Sequence, residues 1–234
     1  MSDARSSILA KLNSAPKQNL PEPQTEVFYQ TYTPKWDEIS RLKHWAYAMR
    51  AVNTHIVWVR QDNWSQILSD MVSQKRLNNI LLPLQTSHGQ LAQADLQKQC
   101  PDVQLLSYEK PIDEWKEQLF RKVNASLTDV RCGIAQTGTL LLWPDTMQPR
   151  TMSLVPPVHF ALFDTQNLYS TFYEAMHALD MQNGMPTNVV LVSGPSKTAD
   201  IQMTLAYGAH GPRELIVLAI VPAHISLEDL EGTV

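Results

Sequence analysis

Short apolar runs alternating with amphipathic helical stretches fill the first half of this 234-residue chain, and that rhythm limits what it can fold into. His55–Val59, Ile80–Leu84 and Val103–Ser107 read as strands. Between them, Asn63 can cap a helix carrying Ile67, Leu68, Met71 and Val72, and Gln90–Gln99 reads as a second helix. Pro34 sits at the start of an earlier helix whose apolar face is Ile39, Leu42, Ala46 and Met49. Ile112–Leu127 follows the third strand as a helix with Trp115, Leu119 and Val123 on one side. A run that is apolar throughout suits a strand buried on both faces. Strands separated by helices pair in parallel, so the spacing predicts βαβ units feeding a mostly parallel sheet.

The middle breaks this rhythm. Val130–Ala135, Thr139–Trp143, Met152–Val155 and Val158–Phe163 read as strands joined by turns at Gln136–Gly138 and Pro144–Pro149. Links this short suit antiparallel hairpins, because parallel neighbours need a crossover. Asp164–Asp180 returns to helix with Leu168, Phe172, Met176 and Leu179 in register. A last βαβ is expected from a strand Asn188–Val192, a helix from about Lys197 to Tyr207 and a strand Glu214–Val221. Residues 1–25 read as an arm, with a short helix over 5–12 followed by an extended linker carrying Pro16, Pro21 and Pro23. The expected organisation is this arm followed by one α/β domain over 26–234. The fold class is α/β, a mostly parallel sheet flanked by helices with a smaller antiparallel region.

Charge and cysteine content exclude several functions. The net charge of −4 comes without a basic stripe to neutralise phosphates, which argues against a nucleic-acid binder. Two cysteines, Cys100 and Cys132, are too few for an iron–sulfur cluster of four thiolates, and no close Cys/His pairs suggest zinc. No metal or cofactor is expected in this chain. The apolar stretch Leu215–Ala223 is shorter than the ~18–20 residues that span a bilayer, and Met1–Leu12 lacks a continuous apolar core. The expectation is a cytoplasmic protein without a membrane span.

Four segments could carry chemistry. In Ser193–Asp200, a turn with Gly194 follows an apolar strand and opens the expected helix. Unpaired amides at a helix start favour an anion, and Ser196, Lys197 and Thr198 add donors. The same residues also make ordinary turn and cap chemistry, with Asp200 complementing the helix dipole. The segment lacks the spaced glycines of a phosphate-binding P-loop. A second segment places Gln136, Thr137, Gly138 and Thr139 on a tight loop, which also reads as a plain hairpin turn. A third begins at Arg150, able to clamp a carboxylate from a strand start, and contains His159 on an apolar strand, where a hydrogen-bonded core role is expected. The fourth is Gly208–Pro212, with Gly208 as helix C-cap and His210 unhindered. A regular ten-residue helix would separate Gly194 from His210 by about 15 Å, so the two can share a site only if that helix is short, broken or meets another subunit.

In order, Ala135–Thr139, Arg150 with Pro157 and His159, Gly194–Gln202 and Gly208–Pro212 resemble the lactate-utilisation protein C family, which carries the LUD domain. The resemblance implies a fold similar to glucosamine-6-phosphate deaminase, ribose-5-phosphate isomerase and CoA-transferases. It also implies a part in oxidising L-lactate to pyruvate beside iron–sulfur partner proteins, which would hold the clusters. Gln136 and Gln202 stand where the family pattern often has glutamate, and Lys197 replaces an arginine. An amide cannot serve as base or nucleophile, which favours binding over catalysis.

Two functions follow as expectations. One is an accessory, ligand-binding subunit that takes an anionic metabolite or nucleotide, with homo-oligomerisation also open. The alternative is a stand-alone enzyme of CoA-transferase or sugar-phosphate isomerase type, with Asp200 and His210 as catalytic candidates and Lys197 and Arg150 as anion clamps. A pure assembly scaffold is the third reading.

Overall fold

The structure is a computed structural model that describes residues 3–16, 21–199, 205–207 and 210–230. The chain divides into two compact units, Met1–Thr33 and Pro34–Val234. The first holds helices α1 (Ala4–Ser14) and α2 (Thr25–Tyr32). Asp3 starts α1 by accepting a hydrogen bond from the Arg5 amide. The short helix expected over 5–12 lies within α1.

The second unit begins with α3 (Glu38–Ala51). It starts four residues beyond Pro34, where the Asp37 carboxylate accepts from the Ser40 amide at 2.7 Å. There follow β1 (His55–Val59), α4 (Trp64–Gln74), β2 (Asn79–Leu82), α5 (Ser87–Gln99) and β3 (Gln104–Ser107). Next come α6 (Ile112–Lys122), β4 (Ala125–Asp129), β5 (Cys132–Ile134), β6 (Thr139–Leu142), α7 (Arg150–Leu154) and β7 (Val158–Asp164). After one 3-10 turn come β8 (Leu168–Tyr169), α8 (Phe172–Ala178), β9 (Val190–Val192), β10 (Lys197–Ala199), β11 (Leu205–Tyr207) and β12 (Glu214–Ile220). None of the described helices is long and apolar enough to cross a membrane.

The main sheet has six strands in the order β1-β12-β7-β4-β2-β3, and every pairing is parallel. As expected of apolar strands, it is covered on both faces. Ile80, Leu82, Phe160 and Leu218 point toward Trp64 and Leu68 of α4 and Leu96 of α5. Ala161, Phe163, Val217 and Ala219 point the other way, onto Leu42, Trp45 and Met49 of α3. Each large side chain fully withdrawn from water here contributes roughly 1.5–3 kcal/mol. A second sheet, β8-β5-β6-β9, combines the antiparallel hairpin β5–β6 with an antiparallel β9 and a parallel β8.

Four expectations need correction. The helix expected to reach Leu127 ends at Lys122, because Ala125–Asp129 is needed as a buried strand between β2 and β7. Met152–Val155 is not a strand: Pro149 leads into the short helix α7, which buries Met152 completely under β4. Asp164–Asp180 is helical only over α8, where Thr171 and Glu174 form a reciprocal capping box. The largest difference lies between Lys197 and Tyr207, where the described residues are strand instead of the expected helix. Lys197–Ala199 and Leu205–Tyr207 are antiparallel strands, with Lys197 opposite Tyr207. The Ser196 amide donates to the Pro212 carbonyl at 2.8 Å, closing the two ends of the segment together. A regular helix would hold those ends about 15 Å apart. β9 and β12 therefore belong to different sheets, and no final βαβ exists.

Candidate functional site

Three hydroxyls tie the first two segments together. Thr139, at the start of β6, shares hydrogen bonds of 2.7 Å with the hydroxyls of both Thr137 and Ser193. β6 and β9 pair antiparallel through Leu140 and Val192, which brings the turn before one strand beside the turn after the other. Both turns then seat on the end of α3. Gly138 has φ 57°, and a Cβ there would lie 2.5 Å from the Ala48 Cβ. Gly194 has φ 151°, and a Cβ would lie 2.7 Å from a Val52 methyl. The freedom these glycines supply allows close contact with the end of α3.

The first and fourth segments also meet. The Ser196 hydroxyl accepts from the His210 amide at 3.3 Å, and the Ser196 amide binds Pro212. Sequence spacing set Gly194 and His210 apart only through the helix that is absent, and without it they line one cleft. This solvent-open cleft holds about 200 Å³, below the ~300–1,000 Å³ of pockets for drug-sized ligands. Its polar side is Ser193, Gly194, Ser196 and His210, and its apolar wall includes Leu154, Val190 and Leu215.

The third segment contributes His159 and Ser153, both on the cleft. His159 belongs to β7 and projects from the sheet face opposite Phe160. Its Nε2 lies 2.8 Å from the Thr128 hydroxyl, and its Nδ1 is buried without a hydrogen-bond partner. Burial alone pushes its pKa down to about 4, so the ring is neutral at pH 7. The expected core role is half right: one nitrogen is satisfied within the core and the other is not. The signal for it was a lone polar residue in the apolar run Val158–Phe163.

The remaining expected site residues are distributed differently. Arg150 opens α7 rather than a strand, is exposed, and does not line the cleft. Gln136 is exposed, and its backbone N–H donates to the Ser170 carbonyl. Lys197 is exposed at the start of β10, and Thr198 follows it opposite Ala206. Asp200, Gln202 and Gly208 lie outside the described residues. With β10 in place of the helix start, the helix-terminal amides expected to attract an anion at Ser196–Thr198 do not exist. Among the described residues, no Asp, Glu, Lys or Arg lines the cleft. Nor is there a group of three His, Cys, Asp or Glu side chains placed to hold a metal. Cys132 is fully buried, and desolvation pushes its thiol up to about 12.

A wholly parallel six-stranded sheet with a small mixed sheet packed over it defines an α/β class whose motif loops gather at one cleft. Residues 42–220 match the LUD domain family model, and the chain belongs to that family. An uncharacterised protein of Neisseria meningitidis is 52% identical over 230 residues, spanning 97% of this chain and 98% of that one. Lactate utilization protein C of Macrococcus caseolyticus is 31% identical over 99 residues, 41% of this chain and 43% of its own. The Bacillus subtilis protein of that name is 28% identical over 113 residues, 44% and 47% of the two chains. The alignment thus spans less than half of these lactate-utilization relatives. The crystal structure of a DUF162 family protein from Deinococcus radiodurans superposes with a TM-score of 0.58 at 19% identity, covering 80% of this chain and 99% of that one. That likeness establishes the shared fold.

Proposed function

We propose that this protein is an accessory, ligand-binding component of L-lactate utilisation, working beside iron–sulfur proteins that oxidise lactate to pyruvate. The observation that carries the reading is convergence. Three separate segments, around His159, Ser193–Ser196 and His210–Pro212, line one cleft, and Thr137–Thr139 is hydrogen-bonded to its rim. Relatives named for lactate utilization share part of the chain, which supports the pathway. Gln136 stands where the family pattern often has glutamate, and an amide that cannot serve as base or nucleophile supports binding over catalysis.

The test has two arms. Deleting the gene should abolish or slow growth on L-lactate as sole carbon source while growth on pyruvate is unchanged. The purified chain should show a thermal shift with at least one of lactate, pyruvate, CoA or a nucleotide, and no turnover alone. Normal growth on lactate would remove the pathway reading, and turnover by the isolated chain would remove the accessory role.

A further inference from the structure

We infer that the depression at the carboxyl end of β4 is a second binding site, separate from the cleft, and that it takes an uncharged sugar ring through a vicinal diol, in a free sugar or in a ribonucleoside.

The topology opens this place. β2 and β4 are neighbours in the main sheet. β2 runs on into α5, which packs on one face with Ile80 and Leu82. β4 runs on through Val130 into the second sheet, which packs on the other face with Ala161 and Phe163. Where the chain leaves adjacent parallel strands toward opposite faces, a crevice remains beyond their carboxyl ends, and α/β proteins bind ligands there. Asp129 is the last residue of β4. With Arg131, Trp143, Asp145 and Gln148 it lines a solvent-open depression of about 280 Å³, larger than the cleft around Ser196 and sharing no lining residue with it.

The lining side chains are held in place without being used up. Gln148 braces Asp129: its Oε1 accepts from the Asp129 amide at 2.9 Å, and its Nε2 donates to Asp129 Oδ1. Asp145 Oδ1 accepts from the Met147 and Gln148 amides at 2.8 and 2.7 Å. The Oδ2 atom of each carboxylate has no hydrogen-bond partner among the described residues. Arg131 lays its guanidinium over the Trp143 ring, 5.6 Å from the centroid, and pairs with no carboxylate among the described residues. Guanidinium and carboxylates thus line one depression without closing on each other, which leaves room for a group that both donates and accepts. A phosphate or carboxylate would meet Asp129 and Asp145, and an ammonium would meet Arg131, so either ion faces a like charge. A sugar hydroxyl avoids both conflicts, donating to a carboxylate oxygen while accepting from a guanidinium N–H. Two adjacent hydroxyls engage both partners at once. Trp143, half-buried in the same lining, supplies apolar surface for the C–H groups of the ring.

The test titrates the 15N-labelled full chain with D-glucose, D-ribose, adenosine, 2′-deoxyadenosine and D-ribose 5-phosphate, following backbone amide shifts. At least one of the first three should give saturable shifts centred on residues 129–131 and 143–148. A response to the free sugars alone, or to adenosine alone, identifies where the diol comes from, and either supports the site. If adenosine binds, loss of its 2′ hydroxyl should weaken binding about tenfold, the equivalent of one hydrogen bond to a charged group. The phosphorylated ribose should bind no more tightly than ribose itself. Asp129→Asn and Arg131→Met should each weaken binding about tenfold while melting as cooperatively as the parent. Arg131 is exposed and its guanidinium holds no hydrogen bond among the described residues, so R131M decides the matter even if D129N is unstable. Unchanged affinity in R131M, tighter binding of the phosphorylated sugar, shifts centred on Ser193–Ser196 and His210, or no saturable shift with any probe would overturn the assignment. None of those results bears on growth with lactate, so the pathway reading stands or falls separately.

Discussion

Replacing Gly138 by alanine tests how the motif turns are held. The backbone there has φ 57°, a left-handed conformation that costs a residue with a Cβ roughly 1–2 kcal/mol. The new methyl would also lie 2.5 Å from the Ala48 Cβ and 3.0 Å from the Met49 amide nitrogen. Neither neighbour can rotate away, because one is a Cβ and the other is backbone within α3. Relief by shifting the turn adds overpacking of about 1–3 kcal/mol, for a total of about 2–5 kcal/mol. A domain of this kind is stable by about 5–15 kcal/mol in all, so the midpoint of urea unfolding should move far to the left. Ala48→Gly removes the nearest clash, at a helix-propensity cost of about 1 kcal/mol when made alone. Made in the G138A background it should cost less than that or stabilise, giving a measurable coupling between turn and helix. An unchanged midpoint in G138A, or strict additivity of the two substitutions, would refute the packing argument.

Further outcomes follow from other residues. The folded-state pKa of His159, about 4, lies below the ordinary 6.5, so the unfolded chain takes up this proton first. Stability from this group is therefore intact above pH 6.5 and falls between 6.5 and 4, by a total on the order of 3 kcal/mol; denaturant melts across that window should show a shallower fall in H159Q. Arg60 donates to the carbonyls of Val221, Pro222 and Ile225, fixing the chain beyond β12, and Arg60→Ala should cost about 2–3 kcal/mol by the same melts. Cys132, buried with its thiol near 12, should resist alkylation by iodoacetamide at pH 8 until the protein is unfolded, as read by intact mass.

What could be read from sequence was whatever depended on local periodicity. The strands β1 and β2 and the helices α4 and α5 stand out because apolar period and burial agree there. The helix predicted from Lys197 was wrong for a non-local reason. Lys-Thr-Ala at 197–199 is compatible with either state, and what excludes helix is the bond from Ser196 to Pro212, a partner sixteen residues away. The same holds for β4, whose residues Ala125–Leu127 extend the helical pattern of α6 but are recruited by β2 and β7. Ordered motifs pointed to Gly138, Thr139, Gly194 and Ser196, and these do gather. Gly138 and Gly194 also pack closely on the end of α3, which no pattern within their own segments could reveal. Arg150 and Lys197 are exposed away from the cleft, since a charged residue in sequence carries no information on which way its element will face.

The central claim is that the convergence of these segments makes a binding site. Titrating the 15N-labelled protein with pyruvate and following backbone amide shifts tests it most directly. The largest changes should fall on Ser193, Gly194, Ser196, His210 and Gly211, which line the cleft, and on His159 behind them. Saturable changes centred elsewhere in the fold, with those amides unmoved, would contradict it.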